Sequence, residues 1–129
     1  VRWVPGIAKG LDRENPQEQV RRVRVYQMKA EVEPARKFIP YARLYRQYGG
    51  INPDDYAVVF EGQLGTDNPN ELYERFNAPQ LPKGYRGHRL SVSDILELYN
   101  KSGSQCWYLD TEGFVKIEAE MKGGDADEK

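Results

Sequence analysis

Polar and apolar residues alternate over VRVYQMK, Val23 to Lys29, and the stretch is rich in β-formers, so it predicts a strand. Its core-facing set is either Val23/Val25/Gln27 or Arg24/Tyr26/Met28. From Phe38 onward the period lengthens. Tyr41, Leu44 and Tyr48 recur at helical spacing, with Pro40 in the first turn and Gly49-Gly50 as the stop. After an Asn-Pro turn, Tyr56–Glu61 predicts a short strand, expected to be the best-buried in the chain. NPNELYERFNA predicts a second short helix capped by Asn68 or Asn70, with Leu72, Tyr73 and Phe76 sharing one face. A Pro/Gly-rich loop follows, from Pro79 to Gly87.

LSVSDILELYN reads either as a capped helix or as the entry to a hairpin. The hairpin is preferred: ILELY, a reversal through NKSGS, then QCWYLD. Ser91-Val-Ser-Asp94 then acts as a side-chain-to-backbone turn entering it. Asp110-Thr-Glu-Gly113 forms the next turn into FVKIEAEM, which completes a C-terminal β-meander. The expected fold is α+β: a small, mostly antiparallel sheet of four to six strands covered by two short helices. Residues 1–22 read as an irregular arm, with one possible helical turn from Gln17 to Arg21. Residues 23–122 read as one domain and residues 123–129 as a flexible acidic tail.

With 129 residues the chain is long enough to bury a core without disulfides or metal. Its single cysteine excludes an intrachain disulfide framework and fits a reducing compartment. No apolar run approaches a membrane span, and VRWVPGIAKG lacks the apolar centre of a signal peptide. The expectation is a cytoplasmic protein without membrane contact. The chain opens on Val1 rather than methionine, as expected of a segment excised from a longer protein.

Net charge is −1, but it is unevenly spread. Residues 1–48 carry eleven Lys/Arg against five Asp/Glu, and residues 49–129 carry eight against fifteen. The basic half interleaves arginines with tyrosines. This defines a candidate interaction surface: Arg21, Arg22, Arg24, Tyr26, Arg36, Lys37, Tyr41, Arg43, Tyr45 and Arg46, joined by Tyr85 and Arg86 from the loop. Tyr and Arg are the residues enriched in protein–protein hot spots. The same mixture also suits single-stranded nucleic acid, through charge and stacking. A protein partner is the preferred reading, because the pI near 5.9 is unlike that of a strongly basic nucleic-acid binder.

Reactive-looking residues point less clearly. His88 has no second histidine or cysteine at ligand spacing, so it is a poor metal candidate. Cys106 sits among aromatic and aliphatic residues and reads as a small hydrophobe. Asp94 and Asp110 are the candidates for paired catalytic carboxylates, but each falls at a turn, where Asp accepts backbone N–H bonds. No phosphate-binding glycine loop is present. The expectation is a non-enzyme, with no catalytic, metal or cofactor residues.

The combination of VYQMK, YAVVFEGQLG, ELYERFN and HRLSVSDILELYNKSGSQCWYLDTEGF resembles the YodL-like domain family. The matching elements are Tyr56–Gly62, Glu71–Asn77, Ser91–Asp94 and Tyr108–Phe114, within a similarity running from about Val23 to Ile117. The resemblance implies a small bacterial accessory module of unknown biochemical function. Such modules are common in Firmicutes and on their mobile genetic elements. The family brings no established catalytic residues. The long N-terminal arm and Cys106 in the last hairpin depart from the commoner pattern.

Overall fold

Strand β1 (Arg22–Met28) lies inside the sheet, flanked by β2 (Tyr56–Gly62) and β3 (Ile95–Asn100). β4 (Gly103–Asp110) and β5 (Gly113–Ile117) extend the sheet beyond β3, giving the order β2-β1-β3-β4-β5, antiparallel throughout. The computed structural model describes residues 20–121. The expected tail over 123–129 lies outside them, as do the arm and the Gln17–Arg21 turn, apart from residues 20–22. β3, β4 and β5 form the expected meander, and the hairpin reading of ILELY…QCWYLD holds over the helical one. Asn100 pairs with Gly103 across a two-residue reversal, and the Asn100 side chain accepts from Ser102 N–H at 2.8 Å.

The sheet is covered on both sides, so both facing sets of β1 are used. On the first face Val23 and Val25 join Phe60, Leu96, Leu98 and Leu109. Leu72 and Phe76 of the helix segment and Leu90 of the loop close over them. On the second face Tyr26, Tyr56, Ile95, Cys106, Tyr108 and Ile117 pack under Ile39 and Leu44. Helix α1 (Tyr41–Tyr48) therefore covers one side and α2 (Pro69–Arg75) the other.

Local chemistry fixes the helix ends. Pro40 stands at the N-cap of α1, just outside the first turn. Gly49 ends it at φ +85°, a conformation that costs a residue without Cβ little. Asn68 caps α2, its side chain accepting from Asn70 and Glu71 N–H at 2.9 and 3.4 Å.

One expectation is corrected. β2 is the sheet's edge, and its middle residues Val58 and Val59 are only half-buried. The best-buried strand is β3, whose first four residues are all buried. Density in β-formers does not distinguish an edge from a centre; pairing on both sides does. β2 also carries a bulge. Val25 pairs with Phe60 and Tyr26 with Val58, which leaves Val59 as the extra residue.

Candidate functional site

The loop entering β3 encloses a buried polar cluster. Gln27, on the first face of β1, points its amide nitrogen at His88 O (2.8 Å) and Asp94 Oδ2 (3.0 Å), with Tyr85 Oη and His88 Nδ1 each at 3.2 Å. Two amide hydrogens cannot serve four acceptors, so the two shortest contacts take them. His88 Nδ1 lies 2.7 Å from Arg89 O, a carbonyl that can only accept. The imidazole proton is therefore assigned to Nδ1, and the ring itself is exposed.

Asp94 is 2% exposed. Its Oδ2 accepts from Ser91 N–H at 2.8 Å, and its own N–H and C=O bond Ser91 O and Leu109 N–H. Burial pushes its carboxyl up to about 7, and the Ser91 N–H, His88 and Gln27 pull in the opposite direction. Ser93 is as tightly held. Its N–H donates to Leu109 O, and its C=O accepts from Tyr56 Oη at 2.9 Å. The Ser-Val-Ser-Asp motif thus ties β1, β2 and β4 to the hairpin entrance.

The reactive-looking residues do not converge. Gln27 bridges His88 and Asp94, but Cys106 lies on the opposite face, opposite Glu97 in register, with its thiol directed to Ala119 O at 3.6 Å. Burial, reinforced by Glu97, pushes that thiol up to about 12. Asp110 belongs to the β4–β5 turn. One of its oxygens accepts from Thr111 N–H at 2.7 Å and the other from Tyr41 N–H at 3.3 Å. Both aspartates therefore serve turns, as their positions in the sequence suggest.

The Arg/Tyr set is scattered. Arg24 lies between Glu61 and Glu97, 3.1 Å from each, with its guanidinium carbon 4.0 Å from the centre of the Tyr99 ring. Tyr26 is 2% exposed and donates to Glu97 Oε1 at 2.6 Å, so it belongs to the core rather than to a binding surface. Arg22 donates to Tyr99 Oη and Arg21 to Gln105 Oε1. Arg36 pairs with Asp55 at 3.0 Å and sits over the Tyr48 ring, while Lys37 reaches Ala30 O. Tyr41 packs edge-on to Tyr108. Tyr85 lies across the sheet, against Phe60 and Phe76, and Arg86 runs along the edge of β2.

What remains free is the outer face of α1. Tyr45 is 63% exposed, between exposed Arg43 and Arg46. Neither guanidinium has an ion pair or hydrogen bond with any described residue. Sequence reasoning missed two other exposed aromatics. Phe38, which precedes the expected helix, is 58% exposed, and Tyr73, expected on the buried face of α2, is 42% exposed. For Tyr73 the signal was present: it directly follows buried Leu72, and neighbouring helical residues point about 100° apart.

A hollow of about 330 Å³ lies between α2, the Leu90–Val92 segment and the β4–β5 turn. Leu90 and Leu109 form its buried floor, and Tyr73 and Phe114 meet edge-to-face beside it at 6.4 Å and 80°. A smaller, polar hollow of about 210 Å³ lies at the β3–β4 reversal, beside Arg21 and Gln105. Among the described residues, no three His, Cys, Asp or Glu side chains gather as a metal site would need, and no helix is long and apolar enough to cross a membrane.

An antiparallel five-stranded sheet with one short helix on each face, its hairpin entrance locked by a buried Ser-Val-Ser-Asp turn, is thus the class of domain these residues build. The chain belongs to the YodL-like domain family, whose profile matches residues 22–119. The match begins with β1 and runs past β5, so it takes in the polar cluster, the free face of α1 and the larger hollow. No curated protein and no solved structure gives a significant match.

Proposed function

We propose that this domain is a non-catalytic accessory module that recognises a protein partner through the outer face of α1. The observation that carries this reading is Tyr45, a largely exposed aromatic between two arginines whose guanidinium groups have no partner among the described residues. A ring already ordered on a helix contributes contact area at little entropic cost, and arginines beside it select acidic or carbonyl-rich surfaces. The nucleic-acid reading has less support. A phosphate-tracking stripe needs contiguous free cations, whereas Arg24 and Arg36 are committed to carboxylates and Tyr26 is buried. A bacterial mobile-element setting, which the family resemblance implies, and a cytoplasmic location, which the sequence leads one to expect, suit such an accessory role.

The test is site-specific photo-crosslinking in cells, with the reactive amino acid at Tyr45 or, as a control, at exposed Lys101. The reading expects a protein adduct from position 45 that is lost with Arg43→Glu/Arg46→Glu. Equal adducts from both positions, or a nucleic-acid rather than a protein adduct from position 45, would overturn it.

A further inference from the structure

We infer that the polar hollow at the β3–β4 reversal is a binding site for a phosphate group, free or carried by a small molecule. It shares no residue with the outer face of α1, so it stands or falls independently of the function proposed above.

Side-chain direction comes first. Among the described residues the hollow is lined by Arg21, Asn100, Ser102, Gly103, Ser104 and Gln105. Arg21 precedes β1 with the parity of Val23 and Val25, Asn100 has that of Leu96 and Leu98, and Gln105 has that of Leu109. All three therefore lie on the first face of the sheet. A bond from Arg21 Nη1 to Gln105 Oε1, at 2.9 Å, joins two of them directly. Ser102 sits in the reversal itself. Ser104 has the parity of Cys106, so its side chain belongs to the second face and contributes only main chain.

The hydrogen-bond inventory then decides what the hollow accepts. Asn100 Oδ1 takes the Ser102 N–H at 2.8 Å, and Gln105 Oε1 takes Arg21. Both partners can only donate, so the orientation of each amide is fixed and its NH2 group is left over. The other guanidinium N–H groups of Arg21 and the Ser102 hydroxyl have no partner among the described residues either. What remains is a set of donors with one fixed positive charge, and no described carboxylate lines the hollow. Asp67 meets Arg21 through its main-chain N–H, at 3.2 Å, and forms no ion pair with its guanidinium. Exposed Lys101, in the same reversal, adds positive charge to the approach.

Such a set suits an oxyanion. A guanidinium bonds phosphate by charge-assisted hydrogen bonds, about twice as strong as neutral ones. The donors come from the start of β1, the end of β3 and β4, so they do not share one plane. A carboxylate offers two oxygens in a plane, whereas a phosphate group offers three or more around a tetrahedron. A volume of about 210 Å³ takes such a group and is below the size of sites that enclose a whole cofactor. Arg21 and Gln105 are half-buried and form the inner wall, with Asn100 and Ser102 exposed at the rim.

The experiment titrates the full-length, ¹⁵N-labelled chain with inorganic phosphate, glycerol 1-phosphate and acetate, at neutral pH and constant ionic strength. Saturable shifts are expected with the phosphates at the Ser102, Gly103 and Gln105 amides and at the Asn100 and Gln105 side-chain NH2 groups. Acetate should bind about tenfold more weakly. Tighter binding of the ester assigns the site to a phosphorylated small molecule, and tighter binding of inorganic phosphate to the free ion; both support the proposal. Asn100→Asp keeps the acceptor for Ser102 N–H, and Gln105→Glu keeps the acceptor for Arg21, while each replaces donors by negative charge. Each variant whose remaining amide spectrum is unchanged should bind phosphate at least about tenfold more weakly. Equal binding of acetate, undiminished phosphate binding in a folded variant, shifts centred on Arg43 and Arg46, or no saturable binding would overturn the proposal.

Discussion

The backbone N–H of Phe38 donates to Ser93 Oγ at 3.2 Å, joining the only two non-glycine residues with positive φ among those described, at +62° and +87°. Two unfavourable conformations are thus held together by one hydrogen bond, where the α1 approach meets the hairpin entrance. Such strain persists only where surrounding contacts over-determine it. Ser93→Ala keeps its own strain but strands the Phe38 N–H, and it should cost about 1–2 kcal/mol in denaturant unfolding. Phe38→Gly removes a strained φ and loses only a mostly exposed ring in contact with His88. It should raise the melting temperature, by about 1 kcal/mol in stability. A drop would show that the His88 contact outweighs the strain.

Asp94 predicts how stability follows pH. Its carboxyl is raised from 3.8 to about 7, so the folded chain binds this proton more tightly than the unfolded chain does. The stabilisation is complete below about pH 4 and fades as pH rises through 7, amounting to a few kcal/mol. Urea midpoints should therefore fall between pH 5 and pH 8, and Asp94→Asn should flatten that part of the profile. An unchanged slope in the variant would assign the effect elsewhere.

Gly87 presses against the polar cluster. A Cβ added there would overlap Gln27 Oε1 and lie 3.0 Å from Val59 Cβ. Gln27 cannot swing aside without giving up His88 N–H and Asp94. Gly87→Ala should destabilise by about 1–3 kcal/mol, although its φ needs no glycine. Thermal melting measures it directly.

Cys106 should be inert in the folded chain. A buried thiol pushed up to about 12 gives almost no thiolate at pH 8, so labelling by a disulfide reagent should proceed only as fast as the domain opens. A fast phase without denaturant would contradict the buried placement.

Arg24 holds three strands through Glu61 and Glu97. Arg24→Ala leaves Glu97 buried without its cation and should cost about 3 kcal/mol, whereas Arg46→Ala should leave unfolding unchanged within about 0.5 kcal/mol. Comparable losses would mean that Arg46 is not free.

The meander could be read from the sequence because its information is local: Asn and Gly at the reversals, alternation between them, and Asp where backbone donors need an acceptor. Cys106 and Tyr108 fall on one face, and Trp107 and Leu109 on the other, as alternation predicts. The Arg/Tyr surface was only partly legible, because pairing between distant strands decides which arginines are free. Arg24 meets Glu97 and Tyr26 meets the same carboxylate only when β1 lies beside β3, a partner 70 or more residues away. The hollow could not be read at all. It is assembled from α2, the Leu90–Val92 segment and β5, and no periodicity in any one of these announces the other two.

The two margins of the sheet are not equivalent. Along β2 the Val59 bulge breaks the regular ladder, and Arg86 returns over the margin, its main chain bonding Val59 O and its guanidinium Val58 O. Along β5 no backbone hydrogen bond from a described residue reaches the outer side. Among the described residues the sheet thus offers one regular margin for strand addition, so a second copy that pairs there, margin to margin about a two-fold axis, occupies it on both chains.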